Sequence, residues 1–511
     1  MTTSESPAPD IDGPVVRTAA GAVRGLREQG LSVFRGIPFA APPVGEARFQ
    51  APRPARPWDG VRAAVAFGPP PPQEPGIISR ADQSAGLGDD WLTLNVWTPD
   101  PDPQAARPVV VWIHGGAYRV GHGGQAGYDA QHIAREGDAV LVTLNYRVGM
   151  EGFALWEGAP ANRGLLDQIA ALEWVQENIA AFGGDPSQVT VAGESAGAGS
   201  IAALMVMERA RGLFRRAVAQ SVPGPFFSVD LARDIAAALA AEAGHRPTVA
   251  DLAATDPRQL TDAGPALSAK MTEYTDRWGQ AAPTATPFGP VVDGDILPAG
   301  PWQALASGAA REIELLVGHN RDEFRLFQFL AGRLGTITEE QAAQTLRLYA
   351  PGGEATYREA FPGASAGELF ERVETDWLFA MPSLRLAEAH RAGGGRAHVY
   401  ELTWAAPGNG GILGACHGLD VPLLFGTFAA DLGGLLFPDG VPTPEAERLG
   451  AFMRRAWTGF ARTGDPGWPE YDSESRLVQI LDAEPKVAPY PEEASRRIWE
   501  GYEFPPLPLI G

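Results

Sequence analysis

The sequence predicts an α/β fold in which helices flank a large, mostly parallel sheet. Continuous apolar runs at 108–113 and 139–144 have the composition of strands that are buried on both faces. A helical repeat follows at 164–181, where apolar residues recur at spacings of four, three, three and four, namely Leu165, Ile169, Leu172, Val175 and Ile179. Buried strands that alternate with helices are typical of βαβ units, which gather a site at the carboxyl edge of the sheet.

Before these units, the N-terminal part is expected to contain short strands and loops. Apolar pieces separated by glycine at 15–33 indicate antiparallel strands, and the alternation at 91–97 indicates another strand. The stretch 34–45 is rich in proline and is predicted to be a packed surface loop, because proline disfavours helices and central strands. Residues 69–90 are predicted to form a second loop.

The second half of the chain alternates candidate strands with long helical intervals. The strands are expected at 217–220, 313–317 and 397–402, and an amphipathic helix at 444–462 closes the chain. The intervals at about 225–287 and 327–396 are mainly helical, so we expect them to be insertions that cap the edge of the sheet. We predict a single domain at 13–511, preceded by a disordered tail at 1–12.

Composition excludes several classes of protein. The chain has 511 residues with 62 acidic against 41 basic side chains, a formal net charge of −21, which would repel nucleic acid and anionic lipid. No apolar run reaches the length of a membrane span, and the N-terminus lacks the apolar segment of a signal peptide. The single cysteine, Cys416, excludes an internal disulfide and fits a reducing compartment. We therefore expect a soluble, cytoplasmic protein with no nucleic-acid or membrane partner, and a monomer by default.

The candidate nucleophile is Ser195, which lies in the motif Gly-Glu-Ser-Ala-Gly at 193–197. The β-branched run 189–191 precedes the motif, and the small residues 196–199 begin a helix after it. A strand that turns sharply into a helix of small side chains would project the serine oxygen, as in a nucleophile elbow. The motif alone also fits a helix capped by an ordinary serine, but the strand and the small residues around it favour the elbow.

A second motif, His-Gly-Gly-Ala-Tyr at 114–118, follows the buried strand 108–113. A pair of glycines at the carboxyl end of a central strand lets backbone N–H groups turn toward a ligand. Alone, the pair also fits a turn that needs positive φ. Beside a serine nucleophile it predicts donors for a developing oxyanion.

A serine nucleophile needs a basic histidine, and five histidines follow Ser195. Two of them, His245 and His390, lie in polar helical surroundings and are expected at the surface, whereas His398 lies within a strand and is expected in the core. His319 directly follows a strand and is a rival candidate. His417 lies in a loop flanked by glycine after a late strand, which is where the base is expected in chain order.

The base in turn needs a carboxylate, and the pair Asp322 and Glu323 follows the strand at 313–317 and precedes His417. An acidic pair in a loop is more often simply solvated. Spacing does not decide between the two residues.

The chain resembles the type-B carboxylesterases, the α/β-hydrolase family that includes bacterial para-nitrobenzyl esterases and cholinesterases. The resemblance covers nearly the whole chain. It is carried by FRGIPFA at 34–40, DWLTLNV at 90–96, HGGAY at 114–118, NYR at 145–147, GLLDQ at 164–168, FGGDP at 182–186, GESAGA at 193–198, FGPVVDG at 288–294, RDE at 321–323, HGLD at 417–420 and FARTGDP at 460–466.

The resemblance implies an α/β-hydrolase fold with helical cap insertions, and it implies a catalytic triad. Ser195 would be the nucleophile, His417 the general base and then the acid, and Glu323 rather than Asp322 the carboxylate. It implies no metal and no organic cofactor.

The same resemblance implies the oxyanion hole and two supporting residues. The backbone N–H groups of Gly116, Ala117 and Ala196 would bind the oxyanion. Ser221 would support the triad by a hydrogen bond, although a serine there also fits a role in satisfying a buried loop. Glu194 is expected to anchor the elbow without taking part in catalysis.

Three departures from the family pattern bear on these roles. Phe324 follows Glu323 where the family usually has glycine, and Trp91 replaces a cysteine that clamps the preceding loop in secreted relatives. The loop 69–90 has no aromatic residue of the kind on which cholinesterases hold a quaternary ammonium group. Choline esters are therefore poor candidate substrates.

We predict a serine carboxylic-ester hydrolase that acts through an acyl-enzyme on short to medium acyl or aromatic esters. Because the base must be neutral, activity should fall below about pH 6 to 7. The alternatives are an amide, carbamate, bulky polyester or toxin-ester hydrolase on the same triad, or a binding module without catalysis. Five aromatic residues are candidate pocket walls, with ordinary core packing the more common role for each: Phe226, Phe227, Phe324, Trp377 and Phe379.

Overall fold

A large mixed sheet forms the centre of the protein. The computed structural model describes residues 13–74, 88–284 and 286–511. The strands in these ranges are β1 Val15–Arg17, β2 Ala22–Arg24, β3 Leu26–Glu28, β4 Leu31–Pro38, β5 Val61–Ala63, β6 Thr93–Thr98, β7 Arg107–Ile113, β8 Val140–Leu144, β9 Gly184–Glu194, β10 Arg216–Gln220, β11 Phe227–Ser228, β12 Val291–Val292, β13 Glu314–Asn320, β14 Arg396–Leu402, β15 Leu477–Leu481 and β16 Lys486–Pro489.

Eleven of the described strands form the central sheet, in the spatial order β16-β15-β14-β13-β10-β9-β7-β8-β6-β4-β3. The strands from β15 to β8 in this order run parallel. At both ends the sheet continues with antiparallel pairs. The predicted α/β class with a mostly parallel sheet is therefore confirmed.

Helices cover the sheet and connect its parallel strands, as such strands require. The α-helices of the described ranges are α1 Gln131–Gly137, α2 Gly149–Gly152, α3 Arg163–Asn178, α4 Ala196–Val206, α5 Val229–Glu242, α6 Val249–Leu252, α7 Pro257–Leu260, α8 Ala263–Ser268, α9 Thr275–Trp278, α10 Pro301–Ala306, α11 Arg325–Leu330, α12 Glu339–Tyr349, α13 Glu354–Ala360, α14 Ala366–Thr375, α15 Met381–Ala392, α16 Asp420–Phe425, α17 Gly433–Leu436, α18 Pro444–Thr463 and α19 Glu493–Ile498.

Short turns of other helix types complete the connections. A π-helical turn, Asp376–Ala380, joins α14 to α15. The 3₁₀ turns are Gly45–Ala47, Ala126–Tyr128, Ile179–Phe182, Glu208–Ala210, Met271–Tyr274, Gly279–Thr284, Gly408–Gly411 and Pro438–Gly440. No helix in the described ranges combines the length and the apolar character that crossing a bilayer requires.

The ends of α18 are set by its sequence. Thr443 caps its N-terminus by accepting the N–H of Ala446 at 3.1 Å, and Pro444 occupies the first turn, where its missing N–H costs nothing. Gly464 ends the helix in the left-handed conformation with φ +80°. The predicted helix at 444–462 is therefore confirmed to within one residue.

The predicted loop at 34–45 is wrong in its first part, because residues 34–38 belong to β4. Ile37 and Pro38 pair with β6, opposite Leu94 and Thr93, after a bulge that begins at Phe34. Gly36 lies in this bulge with φ +69°, and Pro38 lies at the end of the strand, where a missing N–H is tolerated. The predicted tail at 1–12, and residues 75–87 of the predicted loop at 69–90, lie outside the described residues.

The two intervals predicted as insertions contain helices α5 to α9 and α11 to α15. Their assignment as caps, and the single-domain division, stay predictions. One prediction within them is wrong: His390 is buried rather than exposed, and its Nε2 lies 2.8 Å from the carbonyl oxygen of Ile313. The bare backbone of Gly395 gives the ring room, since a Cβ there would lie 2.3 Å from Nε2. His398 is buried within β14, as predicted.

A fully buried ion pair joins the segment after β8 to α3. Arg147 Nη2 lies 2.7 Å from Asp167 Oδ1, and neither side chain has any exposed surface. Asp167 Oδ2 also accepts the backbone N–H and the Nε–H of Arg147, at 3.0 and 2.8 Å. Burial removes both charges from water, so each depends on the other for compensation.

We expect Asp167→Asn to lower the free energy of unfolding by about 3–5 kcal/mol, because the guanidinium of Arg147 would remain buried without a counter-charge. The matched control is Glu208→Gln, which removes one partner of the exposed pair Glu208–Arg211, whose charged atoms lie 2.8 Å apart. That variant should change stability by about 1 kcal/mol or less. Urea unfolding followed by circular dichroism measures both, and equal losses would contradict the expectation.

Candidate active site

Ser195 stands at a sharp turn between β9 and α4. Its φ of +57° and ψ of −124° lie outside the regions that residues with side chains normally adopt. The turn is possible because glycine flanks it: a Cβ at Gly193 would lie 2.6 Å from the carbonyl oxygen of Ile113, and one at Gly197 would lie 2.0 Å from the same atom. The Ser195 N–H donates to the carbonyl of Gln220 at 2.9 Å, which fixes the turn to the end of β10.

His417 is bound to Glu323 by a short charge-assisted hydrogen bond. Its Nδ1 lies 2.6 Å from Oε2 of Glu323, whose side chain is completely buried. The other carboxylate oxygen, Oε1, accepts the hydroxyl of Ser221 at 2.5 Å and the backbone N–H of Asn320 at 2.8 Å. These donors fix the carboxylate in one orientation. The sequence analysis assigned no role to Asn320. Its position at the carboxyl end of β13, the edge at which a site was expected, is the signal that points to such a role.

The rival residues make other contacts. Asp322 Oδ2 accepts the N–H of Ala415 at 2.8 Å and pairs with Arg321 at 3.0 Å. His319 is buried inside β13, with Nε2 3.0 Å from the hydroxyl of Tyr490. The structure therefore brings Glu323, and not Asp322, to His417.

Glu194 makes a contact that the sequence analysis did not predict. Its Oε1 lies 3.0 Å from Nε2 of His417, the nitrogen that would take a proton from a serine. In the part of the chain that the structure describes, the Ser195 hydroxyl forms no hydrogen bond with His417. Glu194 thus faces the histidine directly, beyond any role in anchoring the elbow.

The carboxylates change the protonation of the site. Burial disfavours the imidazolium, but the charges of Glu194 and Glu323 outweigh it and raise the pKa of His417 to about 9. Burial raises the pKa of Glu194 to about 8 against the attraction of His417. The site therefore retains protons to a higher pH than an isolated histidine would. The fall in activity below about pH 6 to 7 stays a prediction.

The backbone N–H groups of Gly116, Ala117 and Ala196 are among those with no acceptor within the described ranges. Gly116 and Ala117 have φ of +111° and +55°, in the left-handed region. At these residues the chain turns away from the direction of β7. Ala196 begins α4, where the first N–H groups of a helix lack internal partners. Free N–H donors of this kind can bind a negatively charged oxygen.

Two phenyl rings pack against His417. The ring of Phe379 stacks on the imidazole with centroids 4.3 Å apart, and the ring of Phe327 lies 5.1 Å away. Phe379 was among the candidate pocket walls, whereas Phe327 was missed. Phe327 lies four residues after Glu323, in α11.

The other candidate walls pack elsewhere. Phe226 packs edge-on against Trp302 at 5.5 Å, Trp377 stacks on Tyr349 at 4.1 Å, and Phe227 is buried in β11. Phe324 packs against Phe327 at 5.4 Å and so reaches the histidine only indirectly. Among the residues described, no group of three or more potential ligands is placed to hold a metal ion.

The model of one protein family, the carboxylesterase family, matches residues 12–499. The chain belongs to the carboxylesterase family. This carboxylesterase is similar to a para-nitrobenzyl esterase of Bacillus subtilis, with 36% identity over 94% of this chain and 98% of the relative. It is 35% identical to a phenmedipham hydrolase of Pseudarthrobacter oxydans, over 93% and 96% of the two chains. Its fold matches the crystal structure of the Geobacillus stearothermophilus carboxylesterase EST55 with a TM-score of 0.83 and 35% identity, over 95% and 99% of the chains.

We expect Glu194→Gln to move the acid limb of the kcat/KM profile of this carboxylesterase toward lower pH. Removing the negative charge beside Nε2 lowers the pKa of His417, so the neutral imidazole persists at lower pH. The measurement is kcat/KM for a neutral ester between pH 5 and 10. Glu173→Gln, on the exposed face of α3, is the control and should leave the limb in place. A limb that stays fixed or moves upward in Glu194→Gln would contradict the assigned direction.

Proposed function

We propose that this carboxylesterase hydrolyses esters through Ser195 as nucleophile, His417 as general base and acid, and Glu323 as the carboxylate that orients the base. The observation that carries the proposal is the 2.6 Å contact between His417 Nδ1 and a fully buried Glu323 carboxylate. A carboxylate in that position fixes the tautomer that leaves Nε2 free to accept a proton, and it stabilises the imidazolium that results.

The proposed roles imply the following course of reaction. Ser195 Oγ attacks the ester carbonyl while its proton passes to Nε2 of His417, and the imidazolium returns that proton to the departing alcohol. Water attacks the acyl-enzyme in the same way and releases the acid. The strained turn at Ser195 lies at the carboxyl end of β9, at the edge of the sheet where the substrate would bind.

The N–H groups of Gly116, Ala117 and Ala196 would bind the oxyanion that forms in each tetrahedral intermediate. Their lack of acceptors within the described ranges supports this role, because such donors need no reorganisation when the charge develops. Ser221 supports the triad through its 2.5 Å hydrogen bond to Glu323.

Glu194 sets a further requirement on this mechanism. Nε2 must exchange its 3.0 Å contact with Glu194 for a hydrogen bond from the Ser195 hydroxyl when substrate binds. Catalytic hydrogen bonds often tighten only in the substrate complex, so the resting geometry agrees with this step.

We propose small-molecule esters with short to medium acyl chains or aromatic groups as substrates. The phenyl rings of Phe327 and Phe379 beside His417 would favour apolar groups near the reacting carbonyl. One relative is named a para-nitrobenzyl esterase and another a phenmedipham hydrolase, so a para-nitrobenzyl ester and phenmedipham belong in the substrate panel.

We also propose a cytoplasmic monomer, supported by the single cysteine and by a proposed site that one chain supplies entirely.

Ser195→Ala should lower kcat/KM for para-nitrophenyl esters by about 10⁴- to 10⁶-fold, because loss of the nucleophile leaves only binding and the oxyanion hole. Hydrolysis of para-nitrophenyl esters from acetate to decanoate measures this loss and sizes the acyl pocket. Ser187→Ala, at an exposed position in the irregular part of β9 between its paired residues Gly184 and Val189, is the control and should keep wild-type rates. A wild-type protein that folds but hydrolyses none of these esters would favour the binding-module alternative.

Glu323→Gln and Asp322→Asn form a matched pair that separates the two acids. Glu323→Gln should lower kcat by about 10²- to 10⁴-fold, since an amide cannot hold the required tautomer or stabilise the imidazolium. Asp322→Asn should change kcat less than about tenfold, because Asp322 contacts Arg321 and Ala415 and not the histidine. Steady-state kinetics on both variants, with thermal unfolding to confirm folding, would refute the assignment if the two losses were reversed.

A further inference from the structure

The turn that carries two of the proposed oxyanion donors is strained and folds back on itself. Three successive residues have positive φ: +111° at Gly116, +55° at Ala117 and +58° at Tyr118. Where a side chain is present, this left-handed conformation costs about 1–2 kcal/mol per residue. The carbonyl of Gly116 accepts the N–H groups of Arg119 and Val120, at 2.9 and 3.1 Å, which closes the turn. Contacts from outside the turn must offset its strain.

Gln73 holds the end of this turn by bonding to both backbone groups of one residue. Its Oε1 accepts the N–H of Gly121 at 2.7 Å, and its Nε2 donates to the carbonyl of Gly121 at 3.0 Å. Gly121 in turn packs against the start of the turn, since a Cβ there would lie 2.4 Å from His114 Nδ1 and 2.8 Å from the carbonyl oxygen of Gly115. Gln73 therefore holds Gly121, at the end of the turn, where it packs against His114 and Gly115 at the start.

Neighbouring contacts anchor Gln73 itself. Its Nε2 also donates to the carbonyl of Pro71 at 3.1 Å. The next residue, Glu74, accepts the Nε–H of Arg119 at 2.5 Å, so consecutive residues hold two positions of the same turn. A chain with one cysteine cannot fix this segment by an internal disulfide, and these noncovalent contacts hold it instead.

We propose that Gln73 is a positioning residue of the oxyanion hole: its amide clamps Gly121 and so sets the direction of the N–H groups of Gly116 and Ala117. The inference rests on the proposed role of those N–H groups. A primary amide suits the clamp because it offers a donor and an acceptor together, which neither a carboxylate nor a thioether does. Oxyanion donors act only when they are held in place before the charge develops.

The test compares Gln73→Met, which keeps the length of the side chain and removes both hydrogen-bonding groups, with Gln73→Glu, which keeps only the acceptor. The readouts are kcat and KM for a para-nitrophenyl ester and the Ki of a trifluoromethyl ketone, whose adduct with serine carries an oxyanion. Both variants should lose about tenfold to hundredfold in kcat, less than the full loss of one oxyanion donor. KM should stay within about threefold, and Ki should weaken in proportion to kcat/KM.

Gln176→Met is the matched control. Gln176 Nε2 donates to the carbonyls of Pro186 and Leu213, each at 2.9 Å, near the end of β9 opposite to Ser195. The control loses similar side-chain to backbone hydrogen bonds and should share any loss of thermal stability. It should keep wild-type kcat and Ki. A loss of kcat and Ki confined to the Gln73 variants could then not be attributed to general destabilisation.

The proposal is overturned if Gln73→Met keeps kcat and Ki within twofold of wild type, or if Gln176→Met loses as much. If Gln73→Met does not fold, Gln73→Glu decides by the same criteria. If the wild-type protein neither hydrolyses esters nor binds the ketone, the proposed function fails, and hydrogen–deuterium exchange then tests the clamp alone. The Gly121 amide should exchange faster in Gln73→Met and not in Gln176→Met, and unchanged exchange would refute the clamp.

Discussion

A single imidazole buried among carboxylates is the constraint around which the site is built. Glu323 lies 2.6 Å from Nδ1 of His417 and Glu194 lies 3.0 Å from Nε2. A third acid, Asp420, is buried at the start of α16, three residues after His417, and burial raises its pKa. Charges removed from water are tolerated only with partners in good geometry. The fold therefore has to supply those partners from several directions.

The ends of neighbouring parallel strands meet this requirement. Glu194 is the last residue of β9, Gln220 the last of β10 and Asn320 the last of β13, so adjacent strands deliver polar groups to one edge. Gln220 donates from Nε2 to Asp420 at 2.6 Å, and Asn320 donates its N–H to Glu323 at 2.8 Å. Gln220 pairs directly with Glu194, and β13 continues two residues beyond Gly318, the partner of Gln220, to reach Asn320.

Short-range features of this arrangement were predictable from the sequence, and long-range ones were not. The sharp turn at Ser195 and the turn at 116–120 depend on glycines and small residues that are adjacent in the chain, so the sequence pattern reveals both. The choice of Glu323 over Asp322 depends on which side chain faces a loop 94 residues away, and spacing carries no such information. Only the resemblance to a family favoured Glu323.

Other differences between the sequence predictions and the structure also come from contacts between residues far apart in the chain. His390 lies in a polar helical stretch, yet the face of α15 on which it lies packs against the segment before β13. Residues 34–38 pair as a strand because a bulge accommodates their glycine and proline. Gln73 binds Gly121, 48 residues further along the chain, from a stretch with no regular sequence pattern. In each case a tertiary contact outweighs local propensity.

The π-helical turn at Asp376–Ala380 makes the position of a ring beside His417 depend on the number of residues in the turn. The N–H of Met381 bonds to the carbonyl of Asp376, five residues back, so this turn holds one residue more than an α-helical turn would. Removing that residue would rotate the side chains of α14 relative to those of α15 by about 100°. Phe379 reaches His417 from within this turn, so a deletion there would also displace the ring that stacks on the histidine.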